Sequence, residues 1–272
     1  MKITYLKEKR LDITIEDVSA AYSGPVGSLW ELLMGEQIHV GGEDETSLLA
    51  EMGKVTDKTC ILDVCSALGG PARQLARRFG CRVVGLDATP SMVAEAERRT
   101  AGAGLSSLVS FRLGNALDMP FHEGTFDLVW GQDAWCYVTD KERLVREAFR
   151  VTRPGGRIAF TDWVQTGEMS EEEWFGLNGF MAFPYLESLS GYIDLMNDAG
   201  FLAEGEDLSP DFTRWCRRYL IKLENDLQQQ VMSMFGEEFY YAAKNGLAQW
   251  VRAAEEGKVG RVRLVGWKPV TR

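Results

Sequence analysis

The chain has 272 residues, enough for one domain with a sizeable core, and a net charge of −10. That acidity weighs against nucleic acid, whose partners present a basic face, and favours a small or cationic ligand. The opening "MKITYLKEKRLDITIEDV" has no apolar leader, and no later run nears the ~18 apolar residues of a membrane span, which predicts a cytoplasmic chain.

Residues 1–59, with the helix-like "SLWELLMG", read as a lid over the binding edge of a sheet. From Cys60, short apolar runs alternate with helical stretches, the pattern of a parallel sheet covered on both faces. The runs predict strands near 60–64, 82–87, 108–113, 126–131 and 156–162, and helices over 71–79, 90–100 and 140–151. Pro90 sits in the first turn of the second helix, and "RPGGRIAFTDW" is a turn feeding the fifth strand. Beyond 165 the strict alternation lapses. An acidic and then aromatic stretch covers 168–183, a helix within 188–201 stops at Gly200, and a strand follows near 202–208. Residues 210–256 read as mainly helical, and "GRVRLVGWKP" holds the last strand.

The expectation is thus an α/β, Rossmann-like doubly wound domain over 1–272 with a mostly parallel seven-stranded sheet. Its parts are a lid at 1–59, a cofactor-binding core at 60–165, a substrate-side helical insertion at 166–258 and the last strand at 259–272. Cys60, Cys65, Cys81, Cys136 and Cys216 form no CxxC pair, and His39 and His122 are the only histidines. Free thiols are expected, and no metal site.

In "ILDVCSALGGPARQLA" a strand ends near an acid, a small-residue loop follows, and a helix opens at Pro71. A dinucleotide site needs GxGxxG so that backbone N–H groups reach a pyrophosphate. Here Cys65 and Ala67 stand at alternate loop positions, which disfavours a nicotinamide dehydrogenase. S-adenosylmethionine carries no phosphate, so its loop need only let the backbone approach a ribose and an amino-acid tail. An acid at the tip of the second strand, Asp87 in "VVGLDATP", is placed to accept hydrogen bonds from ribose hydroxyls.

The series "LDVCSALGGPARQLA", "VVGLDATPSMVAEAERR", "GNALDMPFHEGTFDLVWGQDAWCYV" and "VTRPGGRIAFTDW" resembles the successive motifs of class I S-adenosylmethionine-dependent methyltransferases. "WELLMGEQIHVGG" ahead of it resembles the sarcosine/dimethylglycine N-methyltransferases, and the phosphoethanolamine methyltransferases share the layout. The resemblance implies Asp63 and Ser66 near the methionine end, Gly69 under the cofactor and Asp87 with Ala88 at the ribose. It implies Asn115 and Ala116 beside the adenine, where Asp is more usual at position 115, and Gln132 near the methyl group.

The fourth strand ends in "WGQDAWCYV". By the same resemblance Asp133 holds an acceptor amine, and Tyr137, with Tyr22 of "AAYSG", stands where relatives pair a histidine with a lid tyrosine. The location carries over; the proton-transfer role of the missing histidine does not. A phosphate-binding arginine has no counterpart in "NGFMAFPYLES". Trp30, Trp135, Trp163, Phe180, Phe183 and Tyr185 are the candidate acceptor aromatics, since aromatic faces attract alkylammonium cations. Each is also a candidate for the core. His39 lines the entrance or packs under the lid, and Arg214, Arg217 and Arg218 bind a carboxylate or form a solvated helix face.

The reading is a methyltransferase for a small molecule, with an amine of the sarcosine/dimethylglycine kind as acceptor. Its rivals are an O-methyltransferase of a phenolic or hydroxylated metabolite and a non-catalytic S-adenosylmethionine-binding protein. Oligomeric state is not legible in the sequence.

Overall fold

The structure, a computed structural model, describes residues 2–3 and 9–270; residues 1, 4–8 and 271–272 of the expected first and last segments lie outside the described residues. Three helices come first: α1 (Ile15–Ser23), α2 (Pro25–Met34) and α3 (Gly42–Met52). The Thr14 hydroxyl accepts the Asp17 N–H while the Asp17 carboxylate takes the Thr14 N–H, a reciprocal cap that fixes the start of α1.

Seven strands form one sheet: β1 (Cys60–Val64), β2 (Arg82–Asp87), β3 (Val109–Leu113), β4 (Phe126–Gln132), β5 (Thr152–Gln165), β6 (Leu202–Asp207) and β7 (Val259–Trp267). Their order is β3-β2-β1-β4-β5-β7-β6, with β7 antiparallel to both neighbours and the other pairings parallel. The chain winds outward from β1 through β2 and β3, then restarts on the other side with β4. That reversal opens a crevice beyond the carboxyl ends of β1 and β4, where open α/β sheets bind ligands.

Helices α4 (Gly70–Phe79), α5 (Pro90–Gly102) and α6 (Lys141–Val151) connect the parallel strands. After β5 come α7 (Glu171–Met181) and α8 (Leu189–Ala199), and between β6 and β7 stand α9 (Ser209–Asn225), α10 (Gln228–Phe235) and α11 (Glu237–Glu255). Lys2–Ile3 pairs with Met169–Ser170 in a separate two-stranded ribbon. Among the described residues no helix is long and apolar enough to cross a membrane.

Strand alternation divides the core. Ile61, Val83, Leu128 and Ala159 pack on one face against α3 and α4, whereas Leu62, Val64, Val129 and Phe160 pack on the other against α6 and α8. Each fully buried aliphatic side chain contributes roughly 1.5–3 kcal/mol, so this two-sided burial holds the crevice rigid. A third cluster under the lid joins Trp30, Trp163, Phe183, Phe212 and Trp250.

Two boundaries differ from expectation. The β5 strand runs from Thr152 to Gln165 because Thr152 already pairs with Phe126 and Gln165 still pairs with Val259. Helix α3 has no polar cap to announce it: Gly41 supplies a left-handed start at φ +88, and only its acidic first turn marks it.

Candidate active site

The crevice holds a cavity of about 410 Å³, within the ~300–1,000 Å³ usual for small-molecule sites. Its floor is the tip of β1, the loop residues 65–67 and the ends of β2 and β4; α1 and residues 37–38 of the lid close it.

The loop takes its shape from a run of left-handed residues: Cys65 (φ +63), Ala67 (φ +43) and Gly69 (φ +69). Two of the three are not glycine, at roughly 1–2 kcal/mol of strain each. The Cys65 and Ser66 N–H groups both donate to Leu86 O, at 2.7 and 3.1 Å, folding the loop onto β2. We expect Cys65→Gly with Ala67→Gly to leave the fold intact, raise unfolding stability by about 1 kcal/mol and keep or tighten cofactor affinity. The net is small because glycine also enlarges the unfolded ensemble by ~0.4–1 kcal/mol per site. Urea melts and calorimetry check this; a folded variant that binds cofactor more weakly would mean that the side chains themselves shape the loop.

Asp87 accepts the Ala67 N–H at 2.8 Å and the Thr89 N–H at 2.9 Å, so backbone on both sides aims its carboxylate at the cavity wall. Asp63, at the end of β1, is buried with Oδ2 lacking a protein partner. Burial, and then the nearby Asp87 charge, push its pKa up to about 8. Ser66 Oγ and Gln132 Nε2 are also buried without protein partners. Gln132 Oε1 accepts the Thr46 hydroxyl at 2.9 Å, which fixes which way the amide points. Buried polar atoms normally find a partner, so three orphans in one wall point to a ligand that supplies them. Ala88, Asn115 and Ala116 also line this wall, and Asn115 Oδ1 accepts the Leu117 N–H at 2.8 Å, leaving one lone pair.

A second, smaller cavity of about 10 Å³, room for a single water, adjoins the first. The two share Tyr22, Ile38, Asp133 and Tyr137, while Trp30, Met34, Trp163, Met181 and Phe183 line only the second. Tyr22 Oη donates to Tyr137 Oη at 2.9 Å, and the Tyr137 and Phe183 ring centroids are 4.7 Å apart, edge to face. Burial drives the hydroxyl pKa values of both tyrosines upward, so both stay neutral phenols.

The structure brings together Tyr22, Tyr137, Asp133, Trp30, Trp163 and Phe183, and on the other side Asp63, Ser66, Asp87, Ala88, Asn115, Ala116 and Gln132. It sets others apart. Gly69 is no part of either wall; an added Cβ there would run into the Phe111 ring, so it serves the turn beneath. Trp135, expected at the acceptor, is turned into the core, stacked 4.2 Å from Phe160. Tyr185 also lies outside both cavities, under the Lys141 ammonium at 3.8 Å. Phe180 is packed over Gly246 on α11. His39 is buried behind the wall against Thr46 at 2.9 Å, and burial pushes its pKa down to about 4. Arg214 and Arg217 pair at the surface with Asp211 and Glu255.

Asp133 requires the largest revision. It faces both cavities, yet its carboxylate accepts Thr161 Oγ1 and Arg261 Nε at 2.8 Å each, Arg261 Nε again at 3.0 Å on the second oxygen, and the Val40 N–H at 2.8 Å. Three donors thus engage both carboxylate oxygens and commit them to the wall. Burial would raise its pKa, but the Arg261 charge and these hydrogen bonds hold it below the usual carboxylate range. Arg261 also reaches Glu45 at 3.2 Å. Sequence reasoning missed Arg261 and Glu45. The available signal was the pair Arg261 and Arg263 set inside the apolar alternation of β7.

Residues 62–160 match the family model described as a methyltransferase domain. With the fold and the cavity this defines the class of the core: residues 62–160 form a methyltransferase domain, and S-adenosylmethionine is its cofactor. It is 29% identical, over 82% of its length, to a sarcosine/dimethylglycine N-methyltransferase of Halorhodospira halochloris, spanning 85% of that protein. It is likewise 29% identical to a glycine/sarcosine/dimethylglycine N-methyltransferase of Actinopolyspora halophila, but spans only 40% of that longer protein. The fold is shared with a Haemonchus contortus phosphoethanolamine N-methyltransferase solved with phosphomonomethylethanolamine and S-adenosylhomocysteine (TM-score 0.86, 22% identity, 94% of this chain and 60% of that one).

Proposed function

We propose that this protein methylates the nitrogen of a small amine held in the large cavity where it meets the aromatic pocket. The observation that carries the reading is the junction of the two cavities at Tyr22, Ile38, Asp133 and Tyr137, with aromatic faces beyond it. When bound, the cofactor supplies a methyl group on a sulfonium sulfur. In this reading Asp63 and Ser66 receive its amino-acid end, Asp87 and Ala88 its ribose, and Asn115 and Ala116 its adenine. Gln132 Nε2 donates from the floor of the junction.

The chain's own contribution to transfer is placement, which accounts for much of the barrier in reactions of this kind. Trp30, Trp163 and Phe183 form an apolar backing behind the junction, and Tyr22 with Tyr137 closes the lid side through their hydroxyl pair. Asp133 acts as a positioning residue: it ties Val40 of the lid to β7 through Arg261, fixing the wall rather than the substrate. An amine that has left its proton in solvent attacks through its own lone pair, whereas a phenol must give up its proton in the transfer. The tyrosines are neutral and His39 lies behind the wall, which favours nitrogen over oxygen.

The test is a panel of amines and phenols incubated with methyl-labelled S-adenosylmethionine. Label recovered in amines is the expected result. Label confined to phenols establishes the oxygen acceptor instead, and binding of cofactor with no transfer to either establishes a non-catalytic binder.

A further inference from the structure

We infer that the acceptor carries no anionic group: it is an amine whose remainder is neutral and apolar, without a carboxylate or phosphate. The inference rests on the methyltransferase reading for the reaction, and on the charges of the two walls for the substrate class.

Among the described residues, the lining of both cavities includes four acids, Glu16, Asp63, Asp87 and Asp133, and no lysine, arginine or histidine. The cations close by, the buried Arg261, Arg73 and Lys141 and the exposed Arg10, are all engaged elsewhere. Arg261 holds Asp133, Thr161 and Glu45. Arg73 holds Leu68 O and Glu36, and Lys141 holds the carbonyls of Val138 and Tyr185. Arg10 donates to Thr139 O at 2.7 Å. An anionic tail at the junction would meet the Asp133 carboxylate and find no charged donor in either wall. A buried charge without a partner is strongly disfavoured. The cation formed when nitrogen is methylated instead meets a lining whose charged side chains are all acids. The relatives are named for amino-acid acceptors and the solved neighbour holds a phosphate ester, so this wall marks a change of acceptor chemistry.

The experiment compares matched pairs that differ only in the anionic group, binding to the full chain saturated with S-adenosylhomocysteine, by calorimetry. The pairs are N,N-dimethylglycinamide against N,N-dimethylglycine, 2-phenylethylamine against phenylalanine, and 4-methylphenol against 4-hydroxybenzoate. In each pair that binds, the neutral-tailed member should bind at least tenfold more tightly, with the same order in kcat/KM under turnover. An acid that binds as well as its neutral partner overturns the inference. If only the phenol pair binds and reacts, the amine reading falls, and the exclusion of anions is judged on that pair alone.

Discussion

Arg261→Met should destabilise the protein by roughly 3–5 kcal/mol, the cost of leaving a buried ionic partner uncompensated. The Arg261 guanidinium is 2% exposed and is the counter-charge for Asp133 and, at 3.2 Å, for Glu45. Methionine fills much of the volume but leaves the Asp133 carboxylate facing Thr161 and the Val40 N–H alone. Asp133→Asn with Arg261→Met removes both charges and should recover a good part of the loss. Asp133 sits at φ +53, a conformation that Asn tolerates as Asp does, so the backbone does not confound the cycle. Urea unfolding of the four proteins measures the coupling. A loss below about 1 kcal/mol for the single variant, with no recovery in the double, would show that the pair does not hold the lid to β7.

Cofactor affinity should rise with pH between 6 and 8 by up to about tenfold per unit, because binding releases a proton from Asp63. Burial and the Asp87 charge put this carboxyl at about 8 in the free protein, so it is largely protonated at neutral pH. The cofactor's ammonium favours the ionised form. Folding stability obeys the opposite sign. The contribution of the raised Asp63 is fully present below the ordinary carboxyl value of ~3.9 and is lost as pH rises through about 8. Calorimetry in buffers of different ionisation enthalpy counts the proton. Asp63→Asn should flatten both profiles; a pH-independent wild-type affinity with no proton released would remove Asp63 from the cofactor site.

The strands that position this site were legible because each is an apolar run with a polar residue at or next to its last position: Asp63 on β1, Asp87 on β2 and Gln132 on β4. The loop was legible as a place, but not its strain. That Cys65 and Ala67 adopt positive φ follows from their two N–H bonds to the neighbouring strand end, made by Cys65 to Leu86 O and by Ala67 to Asp87 Oδ2, which no local pattern encodes. Choosing among the tryptophans was beyond reach for a similar reason. The short turn after Asp133 swings Trp135 onto Phe160, whereas Trp163, on the opposite face of β5 from Val164, reaches the second cavity. Arg261 lies 128 residues from Asp133, and only the antiparallel pairing of β5 with β7, which sets Thr161 against Arg263 and Trp163 against Arg261, brings them together. Charge complementarity at that range is written in register, not in spacing.

The most direct test of nitrogen transfer gives the enzyme both nucleophiles in one molecule. Tyramine and a few homologous aminophenols, each with a primary amine and a phenol, are incubated with methyl-labelled S-adenosylmethionine and the site of the label is read by fragmentation mass spectrometry. The account predicts label on nitrogen, because a free-base amine gives up no proton in the transfer, whereas neither the neutral tyrosine pair nor His39 stands ready to take one from a phenol. Label on the phenolic oxygen would contradict it.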